Sequence, residues 1–106
     1  MFRIPTNRPP SHPGEMLQEE FLSPLGVTPR DLARRIKLSL PRVTQIIQGH
    51  RALTPDIALR LEQLLGVEAQ FWLNLQTMWD LYHARRSSRT KAIRRIRRLP
   101  KLRRAS

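Results

Sequence analysis

The sequence predicts an all-α domain of five helices. Proline and glycine punctuate the chain where helices start and stop. Pro13, Pro29, Pro41 and Pro55 precede apolar stretches of helical period, and Gly26, Gly49 and Gly66 follow such stretches. Proline suits the first helical turn because its missing N–H has no partner there, and glycine suits the left-handed position past the end. No stretch alternates apolar and polar residues as a half-buried strand would.

The first helix is expected from Pro13 to Leu22, with Leu17 and Phe21 on its inward stripe and Pro24 and Gly26 ending it. The second starts at Thr28 as N-cap, with Pro29 at the first position and Asp31 at the third, the spacing of a capping box. Val27 and Leu32 have the spacing of a hydrophobic staple, and Leu32, Ala33 and Ile36 form the buried face. The third starts at Ser39, with Leu38 and Val43 as staple, buries Val43, Ile46 and Ile47, and ends at Gly49. The fourth starts at Thr54 and turns Ile57, Ala58, Leu61, Leu64 and Leu65 inward before Gly66. The fifth runs from Glu68 to His83, with Phe71, Leu75, Met78 and Tyr82 as one stripe and Trp72 and Trp79 beside it.

Charge divides the chain. Of 106 residues with a net charge of +12, residues 1–84 hold nine Lys/Arg against eight Asp/Glu, and residues 85–106 hold eleven Lys/Arg and no acid. The expected organisation is an extended proline-rich arm over 1–12, a nearly neutral helical domain over 13–84, and a basic tail over 85–106 that lacks fixed structure in isolation. Within the tail Ile93, Ile96 and Leu99 recur every third residue, so a short amphipathic helix before Pro100 is expected on binding a surface. Clustered cations point to a polyanion. No apolar run approaches the ~18 residues of a membrane span, and no secretory leader is visible, so a cytoplasmic protein without membrane contact is expected.

Zero cysteines exclude disulfides, thiolate zinc sites and a cysteine nucleophile. His12, His50 and His83 lack ligand spacing and suit capping and surface roles, so neither metal nor cofactor is expected. Glu15, Glu19, Glu20 and Asp31 read as solvated helix faces, because no nucleophile or phosphate-cradling loop accompanies them. No catalytic residue is assigned, and no enzyme is expected.

The informative constellation lies in the second and third helices. Ala33, Leu38, Val43 and Ile46 have the buried spacing of a helix-turn-helix, with small Ala33 at the crossing. The outer face of the third helix then carries Ser39, Leu40, Arg42, Thr44, Gln45 and Gln48 without an acid. Glutamine pairs with adenine, arginine with guanine, and threonine or leucine touches a thymine methyl. The candidate base readers are therefore Leu40, Arg42, Thr44, Gln45 and Gln48. Ser39, Lys37 and Arg51 are the candidate phosphate contacts. Trp72, Trp79 and Tyr82 widen the apolar face of the last helix and are the candidate dimer contacts. A dimer would present two recognition helices about 34 Å apart to a palindromic operator in double-stranded DNA.

These residues resemble the HigA-type antitoxins. His12-Pro13-Gly14-Glu15, Glu19-Glu20-Phe21-Leu22 and Pro24-Leu25-Gly26 match the family's opening. Leu32-Ala33, Ile46-Ile47 with Gly49 and Arg51, and Leu53-Thr54 match its helix-turn-helix. Ala58-Leu59-Arg60-Leu61, Gly66 and Phe71-Trp72-Leu73-Asn74-Leu75-Gln76 complete the pattern over residues 12 to about 83. The resemblance implies a five-helix fold of the lambda-repressor type and a homodimer that represses its own operon. It also implies a HigB-like toxin partner, of the ribosome-dependent mRNA-cleaving kind, held inactive. The family also contains stand-alone regulators, so a regulator or protein-interaction module without a toxin is the alternative. Two positions depart from the pattern: Pro29 replaces a glutamine that often touches phosphate, and Lys37 replaces a glycine common in the turn. The basic tail lies outside the resemblance.

Overall fold

The computed structural model describes residues 9–100, so residues 1–8 of the arm expected over 1–12 and the last tail residues, 101–106, lie outside the described residues. Six helices stand among those described, and no strand. A first rod, α1, is α-helical over Pro13–Leu17, widens to a π-helix over Gln18–Leu22 and is α-helical again over Ser23–Leu25. Then follow α2 (Pro29–Ile36), α3 (Leu40–Ile47), α4 (Pro55–Leu65), α5 (Ala69–Arg85) and α6 (Arg89–Arg94).

The caps explain most of these boundaries. Thr28 Oγ1 accepts from Asp31 N at 3.1 Å while Asp31 Oδ2 accepts from Thr28 N at 3.4 Å, the reciprocal capping box. These bonds hold the Asp31 carboxyl below the usual carboxylate range. Ser39 Oγ accepts from Arg42 N at 3.3 Å and Thr54 Oγ1 from Ile57 N at 3.4 Å, so α3 and α4 start as expected. Gly26 and Gly66 end α1 and α4 at φ 70° and 75°.

Four expectations change. The first helix does not stop at Leu22 but continues through Pro24 to Leu25. A proline inside a helix removes one bond and crowds the carbonyl four residues back. The preceding turn has widened, with Ser23 N–H reaching back five residues to the Gln18 carbonyl, which opens room for the ring. The last expected helix runs past His83 to Arg85, and the basic segment, expected to lack fixed structure, carries α6. Side-chain capping explains that extension: Ser87 Oγ donates to the Ala84 carbonyl at 2.8 Å, and Thr90 Oγ1 lies 3.0 and 2.7 Å from the Ala84 and Arg85 carbonyls. The inward seam of α5 is also shifted. Trp72, Leu75 and Gln76 are buried, whereas Met78 faces out.

One core joins α1 to α5. Leu17, Leu22, Leu32, Ala33, Ile36, Val43, Ile46, Leu53, Ile57, Ala58, Leu61, Trp72 and Leu75 are buried together. Leu64 is exposed and Leu65 half-buried, so the last turn of α4 contributes less than its period suggests. Trp72 is the centrepiece, with Phe21 and Phe71 at ring distances of 5.2 and 5.1 Å. Gly14 lets α1 approach α3: a Cβ there would overlap the Ile46 carbonyl oxygen and sit 2.9 Å from Ile47 Cα.

The connection between α2 and α3 is short. Lys37 closes α2 in the left-handed region at φ 61°, and Leu38 N–H returns to the Ala33 carbonyl at 3.0 Å. Left-handed backbone costs a side-chain-bearing residue about 1 kcal/mol. Lys37→Gly is therefore expected to raise the denaturant midpoint by an amount equivalent to ~0.5–1 kcal/mol, with no change in slope. A fall in midpoint would show that the Lys37 side chain contributes more than its backbone costs.

Candidate nucleic-acid interface

Helix α3 is placed by contacts on three sides. Its buried face, Val43 and Ile46, enters the core. Its end rests on α1 at Gly14. Its start is fixed through the turn: Arg60 of α4 donates from Nη1 to the Ile36 carbonyl at 2.7 Å and more weakly to the Lys37 carbonyl at 3.4 Å. The same guanidinium donates from Nε to Asp56 Oδ2 at 2.8 Å, which orients it. A partly exposed ion pair of this kind adds little stability by itself. Its structural effect is to satisfy two carbonyls at the corner that aims α3.

The loop after α3 is held by α5. Leu53 N–H donates to Gln76 Oε1 at 2.8 Å, and Gln76 Nε2 donates to Asp80 Oδ1 at 2.9 Å. A buried amide of this kind must be paired to be tolerated, and here the pairing fixes the loop. Neither Gln76 nor Arg60 is among the residues expected at the site. Gln76 carries a signal, a polar residue one position beyond Leu75 on a buried face. The reach of Arg60 spans 24 positions and leaves no local trace.

His12 anchors the other end. Its Nδ1 accepts from Gly14 N at 2.9 Å as N-cap of α1. The ring is buried, lies beside Gly49 and meets Trp79 edge-on at 5.1 Å. Burial pushes the imidazole below its ordinary value, and the Asp80 carboxylate opposes that in part. Because the folded pKa is lowered, stability is complete above the ordinary histidine value. It falls as pH drops through that value, where the unfolded chain binds a proton that folded His12 resists. The Tm is expected to decline between pH 7.5 and 5, and His12→Asn, which keeps a capping oxygen, should decline less. Equal slopes would show that His12 does not cause the acid-side loss of stability.

The predicted site residues separate into three groups. Gln45 and Gln48 are exposed on the outer face of α3, and Thr44 is half-exposed beside them. Gln45 Oε1 accepts from Arg51 Nε at 2.9 Å, which brings a predicted base reader and a predicted phosphate contact together. Ser39 and Lys37 are exposed at the start of α3, with the Ser39 hydroxyl oxygen engaged as cap. Leu40 does not reach fully outward as expected: it is half-buried and, like Leu38, packs against the core. Arg42 is half-buried, and its Nε is enclosed without an acceptor. Helix α3 carries no acid in its first turn.

The expected dimer contacts also change. Trp72 is fully enclosed and cannot face a second copy. Trp79 is half-buried between His12 and His83, and Tyr82 lies half-buried with the Arg86 guanidinium 4.8 Å from its ring centre. Met78 and Leu81 are the exposed apolar residues of α5. Among the described residues no cluster of His, Asp or Glu could hold a metal, and no helix is long and apolar enough to cross a membrane.

Residues 17–72 match the helix-turn-helix family HTH_3. The virulence-associated protein I of Dichelobacter nodosus is 45% identical over 73 residues, covering 69% of this chain and 68% of that protein. The antitoxin HigA-1 of Vibrio cholerae is 40% identical over 80 residues, covering 76% of this chain and 75% of its own. Among solved structures, the Pseudomonas aeruginosa antitoxin HigA with the higBA promoter superposes with a TM-score of 0.79 at 38% identity. That match covers 90% of this chain and all of the other.

Proposed function

The chain belongs to the helix-turn-helix family and, within it, to the HigA-type antitoxins, and from that membership we propose a DNA-binding repressor of its own operon that also neutralises a HigB-like toxin. The observation that carries the DNA reading is the outer face of α3. It is acid-free, held from three sides, and presents Thr44, Gln45 and Gln48. Gln45 reads a base edge with its amide pre-oriented by Arg51. A glutamine fixed in this way loses less rotamer freedom on binding than a free one. The remaining hydrogens of Arg51, with Lys37 and the Ser39 hydroxyl, serve phosphates at either end of the helix. Arg42 gains an acceptor for its enclosed Nε only if it swings out, so it assists rather than leads. Relatives have been solved on operator DNA, among them the antitoxin GraA in complex with its operator.

The protein acts as a cytoplasmic, non-enzymatic homodimer. Met78, Leu81 and Tyr82, at helical spacing on α5, replace Trp72 as its expected contact. Two copies then offer α3 to successive major grooves of a palindromic site.

Co-expression with the product of the neighbouring reading frame tests the antitoxin role. The expected result is a stable co-purified complex that shifts the promoter fragment. If the neighbouring product neither binds the chain nor arrests growth when expressed alone, the chain is a stand-alone regulator.

A further inference from the structure

The basic segment beyond α5 is a built extension of the domain. Thr90 and Ser87 tie the start of α6 to the last carbonyls of α5, and Arg86 stacks on Tyr82. Eight Lys/Arg lie between residues 85 and 100, no acid follows Asp80, and both ion pairs among the described residues are elsewhere. Lys91 and Arg94 lie three apart on α6, and Arg95 and Arg98 follow in the chain that leaves its end. Ile93 on α6 and Ile96 just beyond it remain 57% and 75% exposed, so they do not serve this chain's core.

Placement favours one polyanion. The C-terminal half of α5 passes beside the end of α3: Trp79 touches His12, and Gln48, Gly49 and Trp79 line one open groove. The segment therefore leaves the domain about one and a half turns beyond the point where α5 flanks the end of the recognition helix. We propose that Arg85–Pro100 is a second DNA-binding element, which grips the phosphates of duplex flanking the sequence that α3 reads, with Lys91, Arg94, Arg95 and Arg98 as its contacts. The proposal rests on the DNA-binding reading and extends it outward along the duplex. A membrane surface fits less well, since three apolar side chains, Ile93, Ile96 and Leu99, are few to bury beneath eight cations.

The test compares the full chain with a variant carrying Lys91→Gln, Arg94→Gln, Arg95→Gln and Arg98→Gln. Each binds two duplexes, the promoter trimmed to its protected core and the same core with ten random base pairs on each side. The full chain is expected to gain affinity from the flanks, about tenfold or more at low salt. Its log–log salt slope should be steeper than the variant's by roughly 3–4, at ~0.9 per phosphate. The variant should bind both duplexes alike. A full chain indifferent to the flanks, or a variant that keeps their gain, overturns the proposal. So does a loss in the variant confined to single-stranded RNA or anionic vesicles. Failure of the recognition reading looks different: core and scrambled core bind equally, while the flank gain persists.

Discussion

Gly14→Ala is expected to destabilise the protein, although helix propensity alone argues the reverse. Inside a helix alanine is favoured over glycine by about 1 kcal/mol. At Gly14 that gain is opposed by collision, since the new Cβ would overlap the Ile46 carbonyl oxygen and crowd Ile47 Cα. Both are backbone atoms, so no rotamer change relieves the contact, and α1 must move off α3. Overpacking of this kind costs about 1–3 kcal/mol where side chains can adjust, and a backbone collision lies at or above the top of that range. The net loss should be ~2 kcal/mol or more, or roughly 10 °C in Tm for a domain of this size. Gly66→Ala is the control. Nothing lies within 4 Å of its Cβ, and only its left-handed φ of 75° resists. Calorimetry showing Gly14→Ala unchanged or raised in Tm would mean that α1 does not seat on α3 as described. Because the collision is at the end of α3, operator affinity should fall with stability.

Gln45→Ala is expected to weaken operator binding by about 1–3 kcal/mol while sparing random duplex. Arg51→Ala should weaken both, since the proposed role of Arg51 is to meet a phosphate as well as to support Gln45. The 2.9 Å bond between them makes a sharper prediction for the double variant. If Arg51 orients Gln45, the two losses overlap, and the double variant loses less than their sum by about 0.5–1.5 kcal/mol. Additivity within ~0.3–0.5 kcal/mol would show that the two side chains act on DNA independently.

The sequence exposed what is encoded locally. Caps at Thr28, Ser39 and Thr54, glycine stops at Gly26 and Gly66, and the spacing of Ala33, Val43 and Ile46 are short-range signals, and the structure keeps each of them. Pro24 misled because a widened turn absorbs a proline that would otherwise end the helix. Trp72 misled because four aromatic residues on one helix compete for the interior, and Trp72, packed on Phe21 and Phe71, is the one fully enclosed. Leu40 shows the same limit in the site, where period marks a residue as outward but its apolar side chain packs against the edge of the core. Arg60, Gln76 and the tight seat of Gly14 depend on partners 23 or more positions away, beyond any local pattern.

On the proposed function, α3 reads sequence in duplex DNA. Its most direct test is the affinity of the full chain for its own promoter fragment against a scrambled fragment of equal length and composition, at physiological salt. A preference of about a thousandfold or more for the promoter is expected, reduced by Gln45→Ala. Equal affinity for both fragments, with equal salt slopes, would contradict it and leave only the cations of the tail holding the DNA.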